Sequence, residues 1–267
     1  MTIIQSIIMG LVEGLTEFLP ISSTAHLIIA GNLLHIPSSE FLKTFEISIQ
    51  LGAILAVVVL YWKKIWSSWN LIFKIATAFV PTAIIGLILY KIVKRYLLDN
   101  LIVIALALLI GGIIIILFEK YYSKKNAVNN EAESDSKKEL SEISYKQAAL
   151  IGVFQSLAVV PGVSRAAATI VGGLSLGISR KNIVEFSFLL AIPTMLAATV
   201  LDIYKTPPVL NGNDLTVWII GFIVAFITAI IGIKFLIKYV QKNDFRVFGW
   251  YRVILGLAVL GAVFLMR

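Results

Sequence analysis

Cysteine is absent from the 267-residue chain, which removes disulfides, thiolate catalysis and cysteine-ligated metals from consideration and leaves the compartment unmarked by redox chemistry. Charge is scarce as well. Asp, Glu, Lys and Arg make up 14% of the residues against 59% hydrophobic ones, and a mean hydropathy of +0.93 lies far outside the balance of a water-soluble globular domain. The net charge of +8 is not a nucleic-acid signature, because the cations gather at the ends of apolar runs, where anionic lipid headgroups lie. The first apolar run lacks a small-residue cleavage pattern and holds Glu13 and Glu17 in its middle, so it is expected to belong to the mature protein.

What the chain has instead is long apolar runs. Six reach the roughly 20 residues that cross a hydrocarbon core as helix: Phe45 to Tyr61, Ile72 to Tyr90, Leu101 to Phe118, Ile183 to Leu201, Thr216 to Leu236 and Phe248 to Leu265. One aqueous stretch, Glu119 to Lys146, balances Lys against Asp and Glu and reads as a mobile linker that divides the chain almost in half. The halves resemble each other. MGLVEGLTEFLPISS (9–23) parallels IGVFQSLAVVPGVSR (151–165), pairing Gly10 with Gly152, Glu13 with Gln155 and Ser22 with Ser164; FEISIQLGAIL (45–55) parallels VEFSFLLAIPT (184–194), pairing Glu46 with Glu185 and Ser48 with Ser187. We therefore divide the chain into a first repeat, 1–118, a polar linker, 119–146, and a second repeat, 147–267.

Each motif carries a Pro followed by Ser, Thr or Gly, a sequence that ends one helix and starts another. The run from Met1 to about Ile36 is too long for one crossing and too broken for one straight helix. It is expected to form a re-entrant hairpin, which a membrane permits only where protein or water surrounds the irregular backbone. Three spans then follow in each half, and an odd number of crossings turns the second half over. The predicted fold is thus an all-α polytopic membrane protein with six transmembrane helices and two re-entrant helical hairpins arranged as inverted repeats. One side would hold both termini with Lys43, Lys91, Lys94, Arg95, Lys205 and Arg267. The other would hold the linker and every remaining Lys and Arg except the central Arg165, and by the positive-inside rule that side is cytoplasmic.

Ionisable groups inside a bilayer cost at least about 2.5 kcal/mol each on insertion scales, so they mark function by default. Glu13 and Glu17, one turn apart, share a helix face and repel unless a cation, a proton or an arginine lies between them. Past Pro20, Ser22 or Ser23 would cap a new helix whose free N–H groups suit an anion, with His26 one turn on. In the second half Ser164 would cap another such helix, Arg165 would project a guanidinium suited to phosphate, and Thr169 would lie one turn further. Caps, structural counter-ions and a satisfied histidine are the bland readings of these residues; taken together they are the parts of a phosphoryl-transfer site. Glu46 and Glu185 would either line the cavity or brace the re-entrant helices, and His35 reads as interfacial.

EGLTEFLPISSTAH and PGVSRAAAT resemble the two motifs of the undecaprenyl pyrophosphate phosphatase family, the bacitracin-resistance type, and the resemblance extends along essentially the whole chain. Ala166 stands where that family usually has Ser, and Ala25 where Gly is common. The resemblance implies hydrolysis of a C55 isoprenyl diphosphate to the monophosphate, with a divalent cation, Mg²⁺ or Ca²⁺, at a site opening to the outer face of the cytoplasmic membrane. On that reading we expect Ser23 as nucleophile with Glu17 as base, Glu13 and Glu17 as metal ligands, His26 as acid/base, as the group that positions the nucleophile or, in a competing assignment, as the nucleophile itself, and Arg165, Ser22, Ser164 and Thr169 as phosphate contacts. The expected partners are the polyprenyl diphosphate and membrane lipids, with a homodimer as one assembly and no nucleic acid. A transporter or flippase of an anion or polyprenyl phosphate is the rival reading, since inverted repeats and mid-membrane charges are also transport signatures.

Overall fold

The computed structural model describes residues 1–97, 100–129, 140–205 and 214–265, and among these every regular element is helical. The middle of the predicted linker (130–139), the loop at 206–213, Arg267 and the side chains of Lys91, Lys94 and Arg95 lie outside the described residues.

Six helices are long and apolar enough to cross a membrane: α3 (Glu40–Trp66), α4 (Trp69–Tyr96), α5 (Leu101–Asn129), α8 (Arg180–Lys205), α9 (Asp214–Val240) and α10 (Arg246–Leu265). They coincide with the six predicted runs and overshoot them at the ends. The overshoot is amphipathic, as in Trp62, Trp66 and Trp69, which are exposed where α3 passes into α4 and stack edge-on, the arrangement of an interfacial aromatic belt. α5 likewise runs on through Asn129, into the segment read as a linker. Glu119 there is buried, accepting from Arg180 at 2.5 Å and from the Phe245 amide at 3.2 Å.

The remaining helices come in short pairs: α1 (Ile3–Thr16) with α2 (Ser23–Leu33), and α6 (Tyr145–Ser156) with α7 (Arg165–Ser175), the second pair interrupted by a 3₁₀ turn at Leu157–Val159. At about 1.5 Å per residue none of the four is long enough to span a hydrocarbon core of about 30 Å. The two pairs are built by the same local devices in the same register. Thr2 and Gln5 form a capping box on α1, Ser144 and Gln147 form one on α6, and the two Gln side chains each donate at 3.1 Å to a helix-ending carbonyl, Leu34 and Leu176. Ser22 caps α2 and Ser164 caps α7, each in the left-handed region, at φ 73° and 69°.

Packing repeats the duplication. α1 lies on α9 and its counterpart α6 lies on α4; α3 meets α8 and α9, while α8 meets α3 and α4; α5 pairs with α10. Each hairpin is therefore held by the other repeat. Glycine makes the approach possible: a Cβ at Gly10 would sit 2.7 Å from the Gly221 carbonyl on α9, and one at the equivalent Gly152 would collide with the Ala78 carbonyl on α4. The breaks between the short helices are 17–22 and 157–164; the first is mostly buried in the bundle, and the second is buried at Pro161, Gly162 and Ser164.

Candidate active site

The two breaks face a cavity of about 230 Å³ lined from the first repeat by Glu17, Ser22, Ser23, Thr24 and Gln50, and from the second by Ala158, Val160, Pro161, Gly162, Ser164, Arg165, Met195 and Ala198. Ser23 and Arg165 begin their respective helices and occupy equivalent places in the two repeats. Both cap residues before them pay for a left-handed backbone, at roughly 1–3 kcal/mol each, a strain that persists only where the surroundings impose it.

One carboxylate joins the halves. Glu17 accepts from the Ser23 hydroxyl through Oε2 and from Arg165 Nη2 through Oε1 at 3.1 Å. Arg165 also donates from Nη1 to the Ser187 carbonyl at 2.9 Å, lies over the Phe18 ring at 5.9 Å, and leaves its Nε buried without a partner. Thr169 stands behind it: its hydroxyl meets Ser187 Oγ at 2.6 Å and the Arg165 carbonyl at 3.0 Å, and it does not line the cavity. Ser22 and Ser164 do line it while capping, accepting from the amides of Ala25 (3.5 Å) and Ala167 (3.2 Å).

Glu13 is fully buried, and neither of its oxygens receives a hydrogen bond. The charged groups acting on it are Glu17, Glu46 and Arg165. A buried carboxylate without a donor, among other carboxylates, is the environment that a hard cation or a proton would relieve. Among the described residues no three His, Asp or Glu side chains form a complete cage. Glu13 and Glu17 thus offer part of an oxygen shell, which fits Mg²⁺, an ion commonly bound by one or two carboxylates with phosphate oxygens and water completing the set.

His26 is turned away from this cluster. Its Nδ1 lies 2.7 Å from the Ser22 carbonyl, which can only accept, so the neutral ring carries its proton there and Nε2 accepts from the Tyr251 hydroxyl at 2.7 Å. The two rings stack, 5.5 Å apart and 4° from parallel. Glu185, the counterpart of Glu46, pairs with Lys64 near the far end of α3 and so braces α8 against α3. His35 is exposed at the end of α2.

Several contributors are not found by sequence reasoning. Gln50 and Met195 reach the cavity through spans that otherwise read as lipid-facing or core. Gln155, in the place of Glu13, is neutral and donates to Thr82 and Thr194, both at 3.0 Å, where Glu13 has no donor at all. Arg252 departs from its predicted location among the cations of the cytoplasmic surface: it is wholly buried in the bundle. The available signal was a charge inside the predicted span 248–265.

Residues 6–258 match the family described as bacitracin resistance protein BacA. The chain is 51% identical over 257 residues to an undecaprenyl-diphosphatase of Sulfurihydrogenibium sp. (strain YO3AOP1), covering 96% of this chain and 98% of the relative. It is 46% identical to the undecaprenyl-diphosphatase of Aquifex aeolicus (strain VF5), covering 99% and 100%, and 47% identical to that of Wolinella succinogenes, covering 97% and 98%.

Proposed function

The chain belongs to the bacitracin resistance protein BacA family, and from that premise we propose that it is a multi-pass membrane hydrolase converting undecaprenyl diphosphate to undecaprenyl phosphate and inorganic phosphate. The activity returns the lipid carrier to the synthesis of peptidoglycan and other wall polymers and confers resistance to bacitracin. The observation that carries the reading is the Ser23–Glu17–Arg165 chain, a hydroxyl, a carboxylate and a guanidinium from two repeats in contact at one cavity.

In the mechanism it supports, the diphosphate enters the cavity and its oxygens take Arg165 and the free N–H groups at the starts of α2 and α7. Ser23 Oγ attacks the terminal phosphorus as its proton passes to Glu17 Oε2, with which it is already hydrogen-bonded. The bond from that phosphorus to the bridging oxygen breaks, and the prenyl monophosphate departs. Water then attacks the phosphoserine phosphorus and gives its proton to the emerging phosphate, the bond from that phosphorus to Ser23 Oγ breaks, and Glu17 returns its proton to Oγ, releasing inorganic phosphate with Ser23 and Glu17 restored. A divalent cation held by Glu13 and Glu17 would neutralise charge on the phosphates. Ser22 and Ser164 shape the phosphate shell, Thr169 fixes Arg165 through Ser187, and His26 orients the start of α2 through its bond to the Ser22 carbonyl.

The hairpins act as re-entrant elements of an inverted repeat in the cytoplasmic membrane, with the cavity opening outward. The test is phosphate release from farnesyl or undecaprenyl diphosphate by purified protein in detergent, with Mg²⁺, Ca²⁺ or EDTA. We expect metal-dependent release that falls at least about a thousandfold in Ser23→Ala and in Arg165→Ala, the range found when a catalytic unit is broken. A folded wild type that releases nothing across metals and chain lengths, or a Ser23→Ala protein that retains wild-type turnover, would sink the reading.

A further inference from the structure

Arg252 lies six residues into α10 and is the largest of the fully buried side chains. Among the described residues no carboxylate pairs with it. Its partners are four backbone carbonyls: Nη1 donates to Pro20 at 3.3 Å and to Val163 at 3.1 Å, and Nη2 to Ala107 at 3.0 Å and to Gly162 at 2.9 Å. Pro20 belongs to the break of the first repeat, Gly162 and Val163 to that of the second, and Ala107 to α5. Room for the group is made by α5, where a Cβ at Gly111 would strike Nη2 and one at Gly112 would lie 3.0 Å from Cβ of Arg252. A buried guanidinium without a counter-ion is costly, and here the gain is a fixed orientation of three peptide planes.

A trans peptide points its N–H opposite to its C=O. The Pro20 plane therefore turns the Ile21 amide back to Leu19 (2.8 Å), and the Gly162 plane turns the Val163 amide back to Val160 (3.2 Å), each closing a turn. The Val163 plane differs. Its amide is that of Ser164, which has no acceptor among the described residues and belongs to a residue lining the cavity.

We propose that Arg252 is a positioning residue for the hydrolysis: it ties the two breaks to each other and aims the Ser164 amide at a phosphate seated beside Arg165. The inference rests on the phosphatase reading. Arg252 touches no substrate; it acts through the Val163 and Pro20 carbonyls. A lysine could keep the charge but not the planar fork that serves four acceptors.

The experiment compares wild type with Arg252→Met, Arg252→Lys and Gly111→Ala, the last displacing the guanidinium without removing it. For the monodisperse fraction of each, kcat and KM are measured with farnesyl diphosphate, and orthovanadate serves as a probe of transition-state binding. In Arg252→Met the inhibition constant for vanadate should rise, and kcat/KM should fall, by a similar factor on the order of a hundredfold, as for loss of a preorganised donor. Arg252→Lys should recover part of that, and Gly111→Ala should move both quantities several-fold in the same direction. A role in stability alone lowers the yield of folded protein while leaving KM and vanadate inhibition of the folded fraction unchanged, and that result overturns the proposal; if Arg252→Met does not fold, unchanged constants in Gly111→Ala overturn it. A wild type that fails to hydrolyse, yet is thermally stabilised by vanadate where Arg252→Met is not, defeats the phosphatase reading and keeps only the part of this one in which Arg252 aims the Ser164 amide at a phosphate-like oxyanion.

Discussion

Glu13 and Glu17 show how two carboxylates one turn apart acquire different duties. Glu17 has a hydroxyl on one oxygen and a guanidinium on the other, whereas Glu13 has no donor on either. Replacing Glu13 by Gln, the residue already at position 155, should keep the bundle as stable as wild type while raising the Mg²⁺ concentration for half-maximal phosphate release at least about tenfold, the scale of losing a ligand-shell contact. A metal titration of turnover checks this, and an unchanged titration would remove Glu13 from the cation. The burial of the pair was partly legible in the sequence, because an ionisable side chain in an apolar run has few explanations. Tyr251 was not. Its bond to His26 joins residues 225 positions apart, and no local spacing announces such a pair.

At the scale of elements, the apolar runs revealed all six spans because their length is set by the bilayer and not by the protein. Their neighbours were hidden, since α1 packs on α9 and α6 on α4, each on a helix from the other half of the chain, and periodicity carries no record of that exchange. Gly152 is the contact on which the exchange depends in the second repeat. Gly152→Val should push α6 off α4 and drag Arg165 with it, at a cost of about 1–3 kcal/mol for overpacking. Thermal unfolding in detergent should show a melting temperature several degrees lower, together with reduced turnover. An unaltered melting curve would mean that the two helices do not approach as closely as described. The end of α5 is hard to read in the sequence for a simpler reason: the charged composition of 119–129 suits a helix as well as a linker, and the buried Glu119–Arg180 pair is a long-range contact.

For the whole molecule, the distribution of Lys and Arg predicts which face is outside, and the absence of cysteine makes the test direct. Ser38 and Ser67 are exposed residues flanking α3 at opposite ends. In intact cells a membrane-impermeant maleimide should label Ser38→Cys, and it should label Ser67→Cys only after permeabilisation. The reverse pattern would turn the protein over and open the cavity to the cytoplasm. Duplication alone would have made a site with two equivalent halves, in which a diphosphate could lie either way round. The first residue of α2 is Ser23 and the first residue of α7 is Arg165, so one backbone position carries a hydroxyl in one repeat and a cation in the other. On the proposed mechanism that difference, with Glu17 where the second repeat has Val159, gives the reaction a polarity: only the phosphoryl group within reach of Ser23 is removed, held between the starts of α2 and α7, and the lipid tail has one direction in which to leave.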